Sequence, residues 1–448
     1  MRKTMCRPAR AWIWILIAVL ILLPILSIII YRITGDRTLQ KRLDALRAQG
    51  HPVSLEELAE TYALPPGTEN AADHYLAAID NMIKWEDQTL LKDLPIVGTA
   101  VWPERTEPLP PEMKKVIEQY LFDNQDALAL LHETAGIPHC RYPKDLTQGF
   151  QCQLPWLSDI RQATRMLAVE TMNHINNGDP NQAMQSMLSS LALNQSIHPT
   201  LLIEMLVRIA LVANNIATIE HVLNRTPLTD RQLQDLTDEL YAEDIKAGFH
   251  TAMQGERCMQ IALFLGTTHV EGELFSLSGR DRGPSVRLLG PLRTLGYLQR
   301  DAVGYLDFVD AFLNILNRPT PNILKIEEQL NAKHYGGMFT KLITASLERV
   351  LQLGIRAETG QKIALTALAV ERYRLASGHL PETLAQLIPD YLDAVITDPY
   401  DGQALRYRRL DPGYVVYSVG EDLTDSGGKK RSKENKSSYD LTFTVERE

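Results

Sequence analysis

The chain has 448 residues, of which 45% are hydrophobic and 23% are charged, and its net charge is −9. This length and composition indicate a globular protein of two or three domains and exclude a mostly disordered chain. Residues 1–47 hold nine basic and two acidic residues, so the remaining 401 residues carry a net charge of −16. Because phosphate binding requires clustered cations, this acidic body argues against nucleic acid as a partner.

Residues 11–31 contain no charged side chain. A helix of about 20 residues spans roughly 30 Å, the thickness of the hydrocarbon core of a bilayer. Trp12, Trp14 and Tyr31 lie near the ends, where aromatic side chains meet the membrane interface. The segment therefore predicts a transmembrane anchor. A cleaved signal peptide and a buried core helix are the alternatives, but the segment is long for a signal peptide and no small-residue cleavage site follows it.

The orientation of this anchor in the membrane depends on the basic residues on its two sides and on the lengths of the flanking segments. Four basic residues precede the apolar segment and five follow it within residues 1–47, so the charge rule is nearly balanced. A short tail before one span and a long polar domain after it favour a cytoplasmic N-terminus. We therefore expect a single-pass protein of the bacterial inner membrane with a periplasmic body, and a cytoplasmic body is the alternative.

The rest of the pattern predicts a mainly α-helical protein with a small C-terminal α+β part. After the anchor the chain is expected to continue as a charged helix over 38–49. Capping residues at Ser54 and Asn70 begin two short helices, and one long helix over 110–135 ends before Gly136. The predicted segments are an N-terminal tail (1–10), a transmembrane helix (11–31), juxtamembrane helices and a loop (32–136), an irregular α-helical bundle or short solenoid (137–335), and a helix with a small antiparallel sheet (338–448).

Residues 155–200 predict two helices that flank a turn at Gly178 and Asp179. Ala183, early in the second helix, allows the pair to pack closely. This arrangement resembles one hairpin of the tetratricopeptide type. Because the chain shows no period of about 34 residues, a repeat array does not follow.

The C-terminal segment combines helix, turn and strand signals. Further helices are predicted over 322–332 and 338–377, and the second ends at Gly378. After it the pattern predicts a helix that begins at Pro381, a turn over 398–402, and strands over 404–409, 414–419 and 441–445.

The residues that define this order are Tyr373, Gly378, Pro381, Thr383, Leu384, Leu387, Asp398, Pro399, Tyr400, Gly402, Tyr407, Pro412, Gly413, Tyr417, Ser418, Gly420, Asp422, Gly427 and Gly428. They resemble the C-terminal domain of major pseudopilins of type II secretion systems, over about 80 residues of the chain. The resemblance implies a setting in the bacterial cell envelope and gives no reaction. In pseudopilins the membrane helix runs directly into this domain and a prepilin peptidase site precedes it. This chain has neither feature, so as a whole it resembles a membrane-anchored helical bacterial protein that carries a pseudopilin-like module.

The resemblance also implies a calcium site, because the Asp/Gly loop of pseudopilins can bind this ion. Asp422 occupies the matching position, and Asp425 and Asp440 are further candidate ligands. The basic run over 429–436 opposes a divalent cation. A solvated turn without a metal is the alternative, and we expect no other cofactor.

The spacing of two cysteines predicts a disulfide. Cys140 and Cys152 lie twelve residues apart, and an oxidising periplasm would allow them to form a disulfide that closes a short loop. Two unpaired thiols are the alternative. His139 beside Cys140 does not predict a zinc site, because no second Cys/His pair completes a tetrahedral set.

Motifs of catalysis are absent from the sequence: it contains no phosphate-binding loop, nucleophile elbow or paired zinc-ligand motif. Glu256 and Arg257 are interpreted as a partly buried ion pair, and His74 and His250 as residues of helix faces. The first hypothesis is therefore a non-enzymatic interaction or assembly component of the envelope, with envelope or secretion proteins as partners. The second is an envelope hydrolase with a cleft between helices near His250 or His74.

Overall fold

The computed structural model describes residues 8–105, 107–267, 285–317, 330, 335–344, 347–429 and 440–447. Within them the protein is mainly helical, with an apolar N-terminal helix and a small antiparallel sheet, as predicted. The helices are α1 (Pro8–Ala48), α2 (Leu55–Tyr62), α3 (Ala71–Asp80), α4 (Gln88–Leu91), α5 (Pro111–Asp123), α6 (Gln125–Thr134), α7 (Trp156–Asn176), α8 (Pro180–Gln195), α9 (Leu202–Arg225), α10 (Asp230–Ala242), α11 (Ile245–Leu265), α12 (Ser285–Thr294), α13 (Tyr297–Leu316), α14 (Met338–Thr344) and α15 (Leu347–Ser377). Two 3₁₀ helices (Leu146–Gln151 and Leu384–Leu387) and strands β1 (Arg406–Arg409), β2 (Tyr414–Ser418) and β3 (Leu441–Val445) complete the described elements.

Helix α1 is one continuous helix of 41 residues that ends at Ala48, which confirms that the chain continues as a helix over 38–49 after the apolar segment. Gly35 does not interrupt it, because this position packs closely on α13: a Cβ there would lie 3.2 Å from Cγ of Arg300. The large apolar side chains from Trp14 to Ile33 are exposed, whereas Leu39 and Leu43 are buried in the core. Among the described helices, α1 and α9 are long and apolar enough to cross a membrane, and only α9 is largely buried in the body.

The predicted helix over 110–135 is divided in the structure into α5 and α6 at Asn124. The Asn124 side chain accepts a hydrogen bond from the Ile83 amide at 2.8 Å and donates to the Ile83 carbonyl at 3.3 Å. Because these bonds link residues distant in sequence, helix periodicity could not reveal the break. The predicted caps Ser54 and Asn70 both accept bonds from the first turn of their helices, as expected.

Helix α9 is the central element of the body and packs against α7, α8, α11 and α15. Helices α7 and α8 form the predicted antiparallel pair, and the turn between them contains Gly178 at a φ of 76°. Asp179 caps α8 through a bond to the Gln182 amide. The predicted helix over 322–332 lies outside the described residues except at residue 330, which is in a turn.

The C-terminal sheet has the strand order β1-β2-β3, with Tyr414 paired with Arg409 on one side and with Val445 on the other. The strands match their prediction closely, while the helix predicted from Pro381 is reduced to a short 3₁₀ helix. The Tyr414 hydroxyl donates to the Ala367 carbonyl of α15 at 3.1 Å. Asn224 of α9 binds the backbone of β3. The sheet therefore shares one hydrophobic core with the helical body.

Candidate functional site

A cleft of about 580 Å³ lies where the ends of α2, α6, α8 and α10 meet the first turns of α3 and α11. Two arginines, Arg141 and Arg208, line it, and we call it the Arg141–Arg208 cleft. Its wall includes the link between α8 and α9, which α11 approaches closely at Gly255. A Cβ on Gly255 would lie 1.8 Å from the Thr200 carbonyl oxygen. Only glycine allows the two backbones to approach this closely.

Arg141 is held by backbone carbonyls and not by a carboxylate. Its Nε donates to the Tyr62 carbonyl at 3.2 Å, and its Nη1 donates to the Cys140 carbonyl at 2.8 Å. The guanidinium lies 5.4 Å from the centroid of the Tyr62 ring. Its Nη2 makes no bond to any residue that the structure describes. The positive charge of Arg141 is therefore fixed in position and not neutralised by an ion pair.

Arg208 is held by Glu243, whose Oε1 lies 2.7 Å from the Arg208 Nε. The Arg208 Nη1 donates to the Ile197 carbonyl at 3.2 Å, and Asn194 donates to the second Glu243 oxygen at 2.8 Å. Burial raises the pKa of Glu243, although the charge of Arg208 opposes this effect. As in Arg141, the Nη2 atom of Arg208 has no hydrogen-bond partner in the described part of the chain.

A buried ion pair lies beneath the cleft. The Lys144 Nζ is 2.6 Å from the Glu204 Oε1, and both side chains are completely inaccessible to solvent. The other Glu204 oxygen accepts bonds from the amides of Thr200 and Leu201 at the N-terminus of α9. Lys144 also donates to the Thr200 hydroxyl at 2.7 Å and lies 3.8 Å from the centroid of the Tyr62 ring. Burial lowers the pKa of Lys144, while Glu204 acts in the opposite direction.

Two other titratable groups of the cleft stay neutral near pH 7. Part of His198 is exposed to solvent, but burial of the rest, followed by the positive charges of Arg141 and Arg208, lowers its pKa to about 4. Burial raises the pKa of the Cys140 thiol to about 11. A thiol that keeps its proton is a poor nucleophile. The cleft thus combines two guanidinium groups with a neutral imidazole and a neutral thiol, and the Asp244 carboxylate at the start of α11 also lines it.

These groups suit binding better than catalysis. The Ser196 hydroxyl bonds to the Leu193 carbonyl and to the Tyr142 hydroxyl, and the Thr200 hydroxyl accepts a bond from the charged Lys144. Neither hydroxyl is therefore bonded to a general base. Two guanidinium groups, each with Nη2 left over, match an anion with planar oxygens, such as a carboxylate.

A hydroxyl–imidazole–carboxylate chain lies between α6, α7 and α8. The Ser189 Oγ is 2.8 Å from the His132 Nδ1, and the His132 Nε2 is 3.1 Å from the Glu170 Oε2. These distances match those of a catalytic triad. Ser189, however, is only 3% exposed and lies within α8, where helical bonds occupy the neighbouring amides. Ser186 also donates to Glu170 at 2.7 Å, so the network links three helices.

The histidines singled out from the sequence do not line the cleft. His250 is bonded to Asn317 at 2.8 Å, and His74 lies 3.4 Å from Glu69. The cleft nevertheless lies beside both histidines, because Tyr75, Gly248 and Thr251 line it, and the hydrolase with a cleft near them stays a prediction. No sequence motif singled out the charged residues that the fold places at the cleft. A signal was available at Glu204 and Arg208, two charges four residues apart in the mostly apolar first half of α9.

Glu256 and Arg257 do not form the predicted ion pair. Glu256 accepts a bond from the Leu202 amide at 3.3 Å, and Arg257 donates to the Pro52 carbonyl at 3.0 Å. Consecutive residues of a helix point in different directions, which prevents their pairing. Burial, without a compensating cation, raises the pKa of Glu256 to about 7.

Cys140 and Cys152 are free thiols in the structure and pack in different parts of the core. Burial raises the pKa of both thiols. The disulfide therefore stays a prediction that awaits measurement under oxidising conditions.

The first part of the Asp/Gly loop is closed by its own hydrogen bonds. Asp422 accepts from the Thr424 amide at 3.1 Å, and Asp425 accepts from the Gly427 amide at 2.8 Å. Each carboxylate thus binds a backbone amide two residues ahead. Residues 430–436, which hold most of the basic run, lie outside the described part of the chain.

Asp440 brings the two ends of the loop together. Its carboxylate accepts from the amides of Ser426 and Gly428 at 3.3 and 2.8 Å. Burial, with smaller contributions from Asp425 and Asp422, raises its pKa. Across the described residues, no three His, Cys, Asp or Glu side chains are grouped so that they could hold a metal ion. The calcium site stays a prediction from the resemblance.

Comparisons of the chain with protein-family profiles, curated proteins and solved structures found no match.

Proposed function

We propose that the protein is a membrane-anchored interaction component of the bacterial envelope, without enzymatic activity, that binds a carboxylate-bearing segment of a partner protein in the Arg141–Arg208 cleft. The observation that carries the proposal is the state of the two guanidinium groups. Backbone carbonyls fix the Arg141 guanidinium, and Glu243 with the Ile197 carbonyl fixes that of Arg208. The Nη2 atom of each arginine makes no bond to a described residue. Donors fixed in advance lose little conformational entropy when a ligand binds.

The ligand class follows from charge and size. Arg141 contributes a positive charge that no carboxylate balances, within a body whose net charge is strongly negative. A planar carboxylate can accept two parallel bonds from a guanidinium. The volume of about 580 Å³ lies within the range of about 300–1,000 Å³ usual for ligand pockets. A C-terminal carboxylate, or an Asp or Glu side chain in an extended segment, fits this description.

The membrane setting supports an interaction role. Helix α1 exposes a long apolar surface before it enters the body, as an anchor would. We infer an inner-membrane location with a cytoplasmic N-terminus and a periplasmic body, and partners among envelope or secretion proteins. In this proposal the C-terminal sheet and its preceding helix are a pseudopilin-like module, and the α7–α8 pair belongs to an irregular bundle or short solenoid.

The orientation can be tested with a reporter fused after the last residue of the full chain. Alkaline phosphatase becomes active only outside the cytoplasm, so we expect an active fusion. A second fusion, to a reporter that fluoresces only in the cytoplasm, should be dark. An inactive phosphatase fusion together with a fluorescent second fusion would place the body in the cytoplasm and overturn the proposed setting.

The binding role can be tested on the purified full chain in detergent. We would titrate short peptides with a free C-terminal carboxylate and the same peptides with an amidated end. Because charge-assisted bonds contribute about 1.5–3 kcal/mol, amidation should weaken binding roughly 10- to 100-fold. Arg141→Gln should weaken binding of the free-acid peptides to a similar degree, and Arg231→Gln, at an exposed site on α10, should not. Equal binding of both peptide forms would refute carboxylate recognition.

A hydrolase is the second candidate, favoured by the Ser189–His132–Glu170 chain. The expected nucleophile would be the Ser189 hydroxyl, with His132 as the base that Glu170 orients. A fluorophosphonate probe distinguishes the candidates, because it modifies activated serines. Labelling of the wild type that Ser189→Ala abolishes and Ser186→Ala preserves would support the hydrolase, while no labelling supports the binding protein.

A further inference from the structure

The point where α1 leaves the body is defined by close backbone contact. A Cβ added to Gly296, whose φ is 78°, would lie 2.6 Å from Cα of Arg32. The α12–α13 corner therefore touches the α1 backbone at Arg32. The large apolar side chains from Trp14 to Tyr31, on the N-terminal side of Arg32, are exposed, as is Ile33 directly after it, whereas Leu39 farther toward the C-terminus is buried. Arg32 thus marks the level at which the apolar surface ends and the body begins.

Two guanidinium groups lie at this level. Arg300 of α13 lies 4.0 Å from the centroid of the Tyr31 ring, and its Nη2 donates to the Thr34 hydroxyl at 2.7 Å. Arg32 donates from Nη1 to the Thr294 carbonyl at 3.3 Å. Both arginines are exposed. The Nε and Nη1 of Arg300 make no hydrogen bond to a described residue.

Carboxylates near these arginines do little to neutralise them. Asp36 lies 3.7 Å from the Arg32 Nε and is itself exposed, so its interaction is weak. Asp301 follows Arg300 in sequence, but it accepts bonds from the amides of Gly337 and Phe339 at the start of α14. The surface formed by Tyr31, Arg32, Thr34, Leu295 and Arg300 is therefore positively charged. We call it the membrane-junction patch.

We propose that the membrane-junction patch binds the phosphate of an anionic lipid headgroup and thereby holds the body against the bilayer. The proposal rests on α1 as the membrane anchor. A guanidinium group can donate two parallel hydrogen bonds to the oxygens of one phosphate. Anionic lipids attract basic side chains next to a membrane helix. Tyr31 has the position of an interfacial aromatic residue, and Leu295, which is 43% exposed, adds apolar surface beside the arginines.

The test uses the full chain in micelles and native mass spectrometry with added phosphatidylglycerol or phosphatidylcholine. We expect the wild type to retain phosphatidylglycerol preferentially, and this preference to fall as salt concentration rises. Replacement of both arginines (Arg32→Gln with Arg300→Gln) should lower retention about tenfold, since two phosphate-binding cations are lost. Arg231→Gln, whose side chain is 83% exposed and lies on α10, is the matched control. A thermal melt of each variant verifies folding, and the salt dependence of the wild type tests the proposal without any substitution.

Three results would overturn the proposal. Equal retention of both lipids by the wild type would exclude headgroup recognition. Retention by the double variant that matches the Arg231→Gln control would exclude this patch. Inorganic phosphate that binds as well as the lipid would show a site for free phosphate. If the chain does not fractionate with membranes, the anchor itself fails, whereas a membrane-bound protein without lipid preference refutes the patch alone.

Discussion

The Arg141–Arg208 cleft and the Asp422–Asp425–Asp440 loop differ in how they use their charged groups. In the loop, all three carboxylates accept bonds from backbone amides of the same loop, so they stabilise its conformation. In the cleft, the arginines are fixed by some of their nitrogens, while Nη2 of each makes no bond to a described residue. The loop had a family resemblance in its sequence and the cleft had none. The proposed binding site in the cleft therefore rests on donors left over after folding, whereas the predicted calcium site rests on a residue pattern.

The largest expected effect concerns the ion pair beneath the cleft. Glu204→Ala leaves Lys144 buried without its partner and removes the acceptor for two amides at the start of α9. We expect a loss of about 3–5 kcal/mol in the free energy of unfolding, measured by denaturant titration. Glu118→Ala removes an exposed partner of Lys114 and should change stability by less than about 1 kcal/mol. Equal effects of the two substitutions would show that the buried pair does not support the cleft.

The next effect concerns the cleft wall. Gly255→Ala places a Cβ 1.8 Å from a backbone oxygen, so α11 must shift away from the α8–α9 link. We expect destabilisation of about 1–3 kcal/mol and weaker ligand binding. Gly136→Ala is the control for stability alone, because a Cβ there meets no atom within 4 Å and Gly136 itself lines the cleft. If the Gly255 variant melts like the Gly136 variant, the backbone contact at the wall is not as close as described.

In the loop, Asp440→Ala removes the acceptor for two amides. Unsatisfied amides cost about 1–3 kcal/mol, so the melting temperature should fall. Addition of calcium to the wild type tests whether the loop carboxylates also bind a metal ion. A rise in melting temperature that Asp422→Ala abolishes would make the loop a metal site and reverse the contrast with the cleft.

A pH-dependent effect is expected from Glu256, beside the start of α9. Its pKa is about 7 in the folded protein, whereas the ordinary pKa of a glutamate side chain is 4.5. The unfolded chain therefore releases this proton first, and the stability contributed by the protonated form is lost as pH rises from 4.5 through 7. Glu256→Gln should thus gain stability relative to the wild type between pH 5 and pH 8, by about 1 kcal/mol or more, since each pKa unit corresponds to about 1.4 kcal/mol. Chemical denaturation at both pH values measures this, and a constant difference would contradict the raised pKa.

The smallest effect on stability is expected for Arg141→Gln. Its bonds go to backbone carbonyls near the surface of the cleft, so its loss should cost less than about 1.5 kcal/mol. Its effect on peptide binding should nevertheless be the largest of the set. If the Arg141→Gln variant is strongly destabilised and still binds the peptides, Arg141 is a structural residue. The charged groups of the cleft would then stabilise the fold, as those of the loop do.

Local signals predicted much of the fold. The apolar N-terminal helix, the caps at Ser54 and Asn70, the turn at Gly178 and the three C-terminal strands need only the chemistry of neighbouring residues. Periodicity failed where distant contacts determined the outcome, as at Asn124, which interrupts a predicted helix because it binds Ile83. The ion pair predicted for Glu256 failed for a local reason, because adjacent helical residues point in different directions.

The candidate site was almost invisible in the sequence. Arg141, Lys144, Glu204 and Arg208 come from a loop and a helix that share no motif, and only the spacing of the last two residues was suggestive. Glu243, the partner of Arg208, lies farther along the chain. By itself the sequence determined the helical class, the apolar N-terminal helix and the small sheet, because hydrophobic periodicity and turn chemistry act over a few residues. Tertiary structure decided which charges are paired and which donors are left over, because pairing depends on distances between residues far apart in sequence.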